Sequence, residues 1–245
     1  MDSQFYKITA WGRTYNPQNW FYDPLYLTNR IYYIIKGTAY YKDDTVLHAG
    51  HMYIFKADED FRVSQSPDDP VDHVFFDFML YQNSLSEPLM DIDLRTGHDQ
   101  LVRLFEMMAA DFTAGVGTPW QIAEDYFELL FFHMRDIITM GTEYSPITAQ
   151  AVRYINNADL STFSVDDLAD QINVSNAYLI RCFKKDLNIT PHKYVSRLKS
   201  SIAIAQARRG VPVVEIAEKL GFSSVAAFYT FFKKETQLKL SDFIT

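Results

Sequence analysis

Cysteine is almost absent: Cys182 is the single one in 245 residues. One thiol closes no internal disulfide and offers no Cys-Cys ligand pair, so a disulfide-stapled secreted fold and a zinc knuckle are both unsupported, and Cys182 reads as a small core residue. Long hydrophobic runs are missing too, since nowhere do eighteen uncharged apolar residues follow one another. The opening MDSQFYKITAWGR lacks the basic-then-apolar order of a secretory signal. These absences lead us to expect a soluble cytoplasmic protein with no membrane partner. His48 and His51 fall close together, but no second histidine pair or spaced glutamate completes a three-ligand set, so neither a metal site nor another cofactor is expected. A base-nucleophile constellation is also lacking, which argues against an enzyme.

What the chain does hold is apolar residues, 48% of the total, enough for a sizeable core and best divided between two domains. The formal charge of −8 weighs against a nucleic-acid partner until it is resolved by position, because fields act locally. Residues 1–145 carry 10 Lys and Arg against 22 Asp and Glu, a balance of −12, whereas residues 146–245 carry 13 against 9, a balance of +4. Two differently solvated surfaces would also give such a split, so motifs must decide.

From about residue 5 to 80, short runs rich in Tyr, Phe, Val and Ile alternate with the turn signals Asn16-Pro17, Lys42-Asp43-Asp44, Ala49-Gly50 and Pro67-Asp68-Asp69-Pro70. Antiparallel strands follow from this, with Arg30–Lys36, Thr38–Tyr41, His51–Phe55 and His73–Leu80 as representatives of a sandwich or small barrel. Between His98 and Thr139 the period changes. Leu101, Leu104, Phe105 and Met108, then Ile122, Tyr126, Leu129, Leu130, Met134 and Ile137, fall at helical spacing and give two helices parted near Gly115–Pro119. Their apolar stripe serves packing on the sheet or a partner subunit. Gly141–Pro146 reads as the linker, leaving residues 1–140 and 147–245 as the two domains.

The second domain contains an internal repeat. Leu168–Lys185 superposes on Ile216–Lys234, pairing Ala169 with Ala217, Ser175 with Ser223, Leu179 with Phe228, and Phe183-Lys184-Lys185 with Phe232-Lys233-Lys234; the second copy has one extra residue in or just after its turn. Each copy has a short helix, a tight turn and a second helix opened by a capping serine, which is helix-turn-helix grammar over about 164–186 and 212–235. The two alanines suit a close helix crossing, Gly221 and Asn173 suit a left-handed turn position, and Ser164 with Asp167 suits a capping box. Leu179, Cys182 and Phe183, and Phe228, Phe231 and Phe232, should face inward. The opposite face is then free for double-stranded DNA: Ser175, Asn176, Tyr178, Arg181, Lys184 and Lys185 in the first copy, and Ser223, Ser224, Val225, Ala226, Thr230, Lys233 and Lys234 in the second. Arginine and asparagine read purine edges while lysines neutralise phosphate. His192–Arg209 forms a connecting helix whose Arg197 and Lys199 are further candidates, and which can hold two reading helices about one DNA turn, roughly 34 Å, apart. A bundle with solvated lysines remains the plain alternative for one copy; two matched copies weigh against it.

With Leu168-Ala169, Ser175, Tyr178-Leu179, Arg181, Phe183-Lys184-Lys185, Tyr194, Arg197, Ala203, Ile216-Ala217, Gly221-Phe222-Ser223, Phe228 and Phe232-Lys233-Lys234 in view, Ala151–Ile244 resembles the DNA-binding domain of the AraC/XylS family of transcriptional regulators. Gln237 and Leu240 stand where that family usually has a glycine and a proline, and Thr230 and Ala226 where it has an arginine and a serine, so the first copy should dominate specificity. The resemblance implies a bacterial regulator, commonly an activator that recruits RNA polymerase and binds a promoter or operator as a homodimer. It also implies an α+β architecture: an N-terminal cupin-like β-barrel, dimerisation helices, and an all-α C-terminal domain with two helix-turn-helix motifs joined by a linker helix.

The first 140 residues resemble the sugar-responsive type of that family, through Ile34-Ile35-Lys36-Gly37, the Ala49-Gly50-His51 turn and Val74–Phe78. A small barrel can enclose one ligand, and aromatic faces with a few polar groups suit a carbohydrate. Trp11, Trp20, Tyr22, Tyr32 and Tyr40 supply the aromatics; Lys36 and His73 fall near the polar sugar contacts that the resemblance implies, with Arg30 and Arg62 as further effector-binding candidates. Two other readings stay open. One is a cupin-type enzyme with a helical tail, and the other is a regulator controlled by a protein partner, its barrel filled by its own side chains.

Overall fold

In the computed structural model the described residues are 6–15, 21–22, 28–42, 44–57, 61–112, 119–208 and 210–243. The β-rich part follows from the alternation of the first eighty residues. Its strands are β1 (Tyr6–Tyr15), β2 (Phe21–Tyr22), β3 (Asn29–Lys36), β4 (Ala39–Tyr41), β5 (Thr45–Leu47), β6 (His51–Phe55), β7 (Val63–Gln65), β8 (Asp72–Leu80), β9 (Asn83–Leu85) and β10 (Leu89–Asp93). The four representative strands read from the sequence coincide with β3, β4, β6 and β8 to within a residue. Five of the strands form an antiparallel sheet in the order β1-β8-β3-β6-β10, and a smaller sheet runs β2-β7-β4-β5.

Because side chains alternate across a strand, the large sheet has two buried faces. Tyr32 and Ile34 of β3 join Phe55, Tyr41 and Phe61 in a layer against the small sheet. Ile31, with Val74, Phe76 and Phe78 of β8, points the other way. There it meets helices α1 (Asp99–Asp111) and α2 (Trp120–Met134), where Tyr33 stacks on Phe105 with ring centroids 4.5 Å apart. A closed barrel was expected, and among the described residues no ladder joins the two sheets. The reason is length: β2, β4, β5 and β7 hold two or three residues each, too few to carry pairing across both edges of the large sheet. The expected turn at Asn16-Pro17, Trp20, the Tyr22 side chain and most of the break between the two helices lie outside the described residues.

Gly141–Pro146 is not the free linker read from the sequence. Met140–Glu143 forms strand β11, paired antiparallel with β9, and Pro146 already opens helix α3 (Pro146–Asn157). Gly141 is read wrongly because glycine punctuates loops; here its missing side chain lets the strand lie against Ser84, whose Oγ would sit 2.9 Å from a Cβ.

The remaining helices are α4 (Val165–Gln171), α5 (Asn176–Leu187), α6 (Pro191–Arg208), α7 (Val213–Lys219) and α8 (Val225–Thr236), followed by a single 3-10 turn at Leu240–Phe243. One core holds them, built from Leu168, Ala169, Leu179, Phe183, Leu198, Ile216, Ala217, Phe228 and Phe232 among others. Leu240, where the family that this segment resembles has a proline, is fully buried in it and anchors the last turn.

The same core takes in Met79 of β8 and Tyr81 just after that strand, so the β-rich part is packed on the helical part. A polar seam accompanies that packing. The Lys7 ammonium on β1 donates to the Asn156 carbonyl at the end of α3, and the Asn156 amide donates in turn to Tyr194 Oη on α6 at 2.8 Å. Burial pushes the Lys7 ammonium below its ordinary pKa and lifts the Tyr194 hydroxyl above its own.

Candidate nucleic-acid interface

Both helix pairs are set by the same local chemistry. Ser164 accepts from the backbone N–H groups of Asp166 and Asp167 and starts α4, and Ser175 accepts from that of Tyr178 and starts α5. Between them Asn173 turns left-handed at φ 55°, while its own N–H and that of Val174 return to Asp170 and Ala169. The second pair repeats this. Gly221 turns at φ 77°, and the N–H groups of Gly221 and Phe222 return to Glu218 and Ala217. The cap of α8 is Ser224 and not Ser223, because the extra residue of the second copy falls in the turn after Gly221. Ser224 therefore corresponds to Ser175, and Thr230 to Arg181.

Leu179, Cys182, Phe183, Phe228 and Phe232 are buried as the pattern requires, and Phe231 is half-buried against Phe222. On the opposite face of α5, Asn176, Tyr178, Arg181, Lys184 and Lys185 are exposed together with the cap Ser175. The Arg181 guanidinium lies over the Tyr178 ring, 4.9 Å from its centroid, and the Asn176 amide nitrogen donates to Asp166 Oδ1 on α4. The face of α8 is plainer. Ser223, Ala226, Thr230, Lys233 and Lys234 are exposed and Val225 is half-buried, but the Thr230 hydroxyl donates to its own helix at Ala226 O, 2.9 Å away. Tyr229, which the repeat pattern passed over, is exposed beside them; its signal was its place one residue after the inward Phe228.

Of the two α6 candidates, Arg197 is half-buried, and Lys199 has another task. Its ammonium donates to the Leu220 carbonyl at 2.7 Å and lies 5.3 Å from the Phe222 ring centroid, so it caps the end of α7 and holds the turn of the second pair. Burial pushes its pKa down. Lys199 is withdrawn from the set of phosphate contacts by this geometry. Gly221 fixes the two pairs against each other: a Cβ there would lie 2.2 Å from Ser161 O, in the loop before α4.

The effector candidates do not converge on one place. Arg30, Tyr32 and His73 lie together between the two sheets. Arg30 Nε is 3.1 Å from Asp77 Oδ1 and its guanidinium stacks on Phe61, while the His73 ring centroid is 4.6 Å from that of Tyr32. Full burial depresses the His73 pKa to about 4. Trp11 faces the other way, edge-on to Trp120 of α2 at 4.7 Å, and Lys36 and Arg62 are exposed. The register explains Trp11: β1 carries an irregularity between Ile8 and Ala10, which shifts the later residues of the strand to the opposite face. His51 is engaged by Asp91 at 2.7 Å.

The fold and the two capped pairs define a protein with a helix-turn-helix domain at its C-terminal end. Residues 168–245 match the family described as helix-turn-helix domain. The transcriptional regulatory protein HptR of Staphylococcus aureus is 34% identical over 94 residues, 38% of this chain and 37% of that protein. The xylose operon regulatory protein of Haemophilus influenzae is 28% identical over 112 residues, 45% of this chain and 29% of that protein. The matching segment thus spans about a third of the curated relatives. Over the whole length the chain is similar in fold to ToxT from Vibrio cholerae, with a TM-score of 0.63 at 12% identity, covering 98% of this chain and 97% of that one. A ToxT structure with unsaturated fatty acid bound is similar at a TM-score of 0.61, 12% identity, over 99% of this chain and 96% of that one.

Proposed function

We propose that this chain is a cytoplasmic, sequence-specific DNA-binding transcriptional regulator of the AraC/XylS type, and not an enzyme. One observation carries the reading: two serine-capped helices, α5 and α8, each present an exposed face ending in a lysine pair, Lys184-Lys185 and Lys233-Lys234, on a domain of net positive charge. Arg181, stacked on Tyr178, is the principal base reader, because the corresponding Thr230 spends its hydroxyl on its own helix. The test is fluorescence anisotropy of the full chain with DNA from upstream of its own gene against scrambled DNA; equal binding to both at every salt concentration overturns the reading.

The β-rich part serves as the sensor of a small molecule, a carbohydrate, between its two sheets. Arg30, His73 and Tyr32 supply polar and aromatic groups there, and the xylose operon regulator of H. influenzae is a relative. The layer is also rich in Ile34, Phe55 and Phe61, and a ToxT structure holds an unsaturated fatty acid, so an apolar acid is the competing effector class. A panel of sugars and fatty acids, scored by the shift each produces in DNA affinity, separates the two. The regulator works as a homodimer joined through α1 and α2, which expose Met107, Ile122, Leu129 and Phe132. It activates by contact with RNA polymerase, which a reporter placed under the bound promoter reads as increased transcription.

A further inference from the structure

We propose that Asp166, which lies on α4 outside the reading helix, determines which base Asn176 accepts. The inference rests on the DNA-reading proposal and deepens it. Asn176 is the first residue of α5, next to the cap Ser175, and it is fully on the exposed side. Asp166 is the second residue of α4, and its backbone N–H is held by Ser164 Oγ at 3.2 Å, so its carboxylate projects from a fixed helix start. The Asn176 nitrogen donates to Asp166 Oδ1.

A carboxylate accepts hydrogen bonds and gives none, so the nitrogen side of the amide must face Asp166 and the carbonyl side must face away. An unrestrained asparagine can rotate its amide by half a turn and offer either its donor or its acceptor first to a base edge. In the major groove the acceptor suits the exocyclic amines of adenine and cytosine, and the donor suits the keto oxygens of guanine and thymine. Asp166 biases that choice by holding the nitrogen side of the amide toward α4. Asn176 presents its carbonyl outward, with the second hydrogen of the amide nitrogen beside it, so the base position that it meets should favour an amine, adenine or cytosine over guanine or thymine. Asp166 is in this sense a positioning residue, placed on a helix that need not itself touch a base.

The test is a base-by-base randomised operator selection with the full chain, compared for wild type, Asp166→Ala, Asp166→Glu, Asn176→Ala and the double variant. The wild type should show one position preferring adenine or cytosine by roughly fivefold or more. Asp166→Ala should flatten that position alone, Asp166→Glu should restore it, and the double variant should look like Asn176→Ala. Removal of a negative charge near phosphates by itself would strengthen binding to all sequences equally; a uniform gain with the position unchanged overturns the proposal. Asn176→Ala gives an independent arm: if it leaves every base position as in the wild type, the proposal fails whatever Asp166→Ala does. A wild type with no preference at any position overturns the DNA reading and this inference together.

Discussion

Gln237 closes α8 in a left-handed conformation at φ 61°, where the family resemblance has a glycine. A side chain in that conformation costs on the order of 1 kcal/mol, partly offset here by the Gln237 amide bonding to Lys234 O at 3.0 Å. Gln237→Gly is expected to stabilise the chain by about 0.5–1 kcal/mol, read as a raised denaturant midpoint. Gly221 is the opposite case. Gly221→Ala meets both φ 77° and the Ser161 carbonyl, so a loss of about 2 kcal/mol or more is expected, with weakened DNA binding because the helix pairs lose their mutual setting. His73 ties stability to pH. Its folded pKa of about 4 lies below the ordinary 6.5, so as pH falls from 6.5 the unfolded chain takes up the proton first and stability drops until about pH 4, by roughly 3 kcal/mol in all. His73→Gln should flatten that slope in melts between pH 7 and 4. Arg181→Ala should cost about 1–3 kcal/mol of DNA affinity and relax preference at one position, as anisotropy against single-base operator variants would show.

At the scale of elements, α2 holds the lesson about what periodicity can tell. A 3.6-residue period locates the helix and places Tyr126, Leu130 and Met134 on the sheet correctly, but it also gathers Ile122 and Leu129 into the same stripe, and these are 39% and 50% exposed. An apolar arc wider than the contact it makes carries two faces that sequence alone cannot part. Leu129→Glu and Phe132→Glu are expected to leave the melt unchanged and to convert a dimer into a monomer by light scattering at micromolar concentration; a dimer that survives both changes places the subunit contact elsewhere. The helix-turn-helix pairs were legible almost residue by residue, because caps, turn conformers and inward Phe and Leu are local. What escaped was set by partners far along the chain: β11 needs β9 beside it, Lys199 needs the open carbonyl of Leu220, and the unjoined sheets depend on strand lengths that alternation does not define.

Across the whole molecule, charge and contact divide the labour. On the proposed reading, the acidic part, at −12, would repel the backbone of DNA and the helical part, at +4, would face it, so affinity should fall steeply as salt rises and Lys184→Ala with Lys233→Ala should make that slope shallower while leaving base preference intact. The hydrogen bonds of Lys7, Asn156 and Tyr194 join the two parts, so the proposed effector response is expected to depend on them. Lys7→Ala should leave DNA binding near wild type and abolish the change that an effector produces, measured by titrating DNA with and without the active compound. The same seam also has a consequence for the order in which the parts can come together during synthesis. Lys7 and Asn156 stand 149 residues apart, so β1 leaves the ribosome long before the carbonyl that its ammonium bonds. Until then that strand can pair with β8 and pack on α1 and α2, as Tyr6 does against Phe127, but a nascent chain stalled before α3 would leave the Lys7 ammonium in water and Met79 without the helical core that covers it.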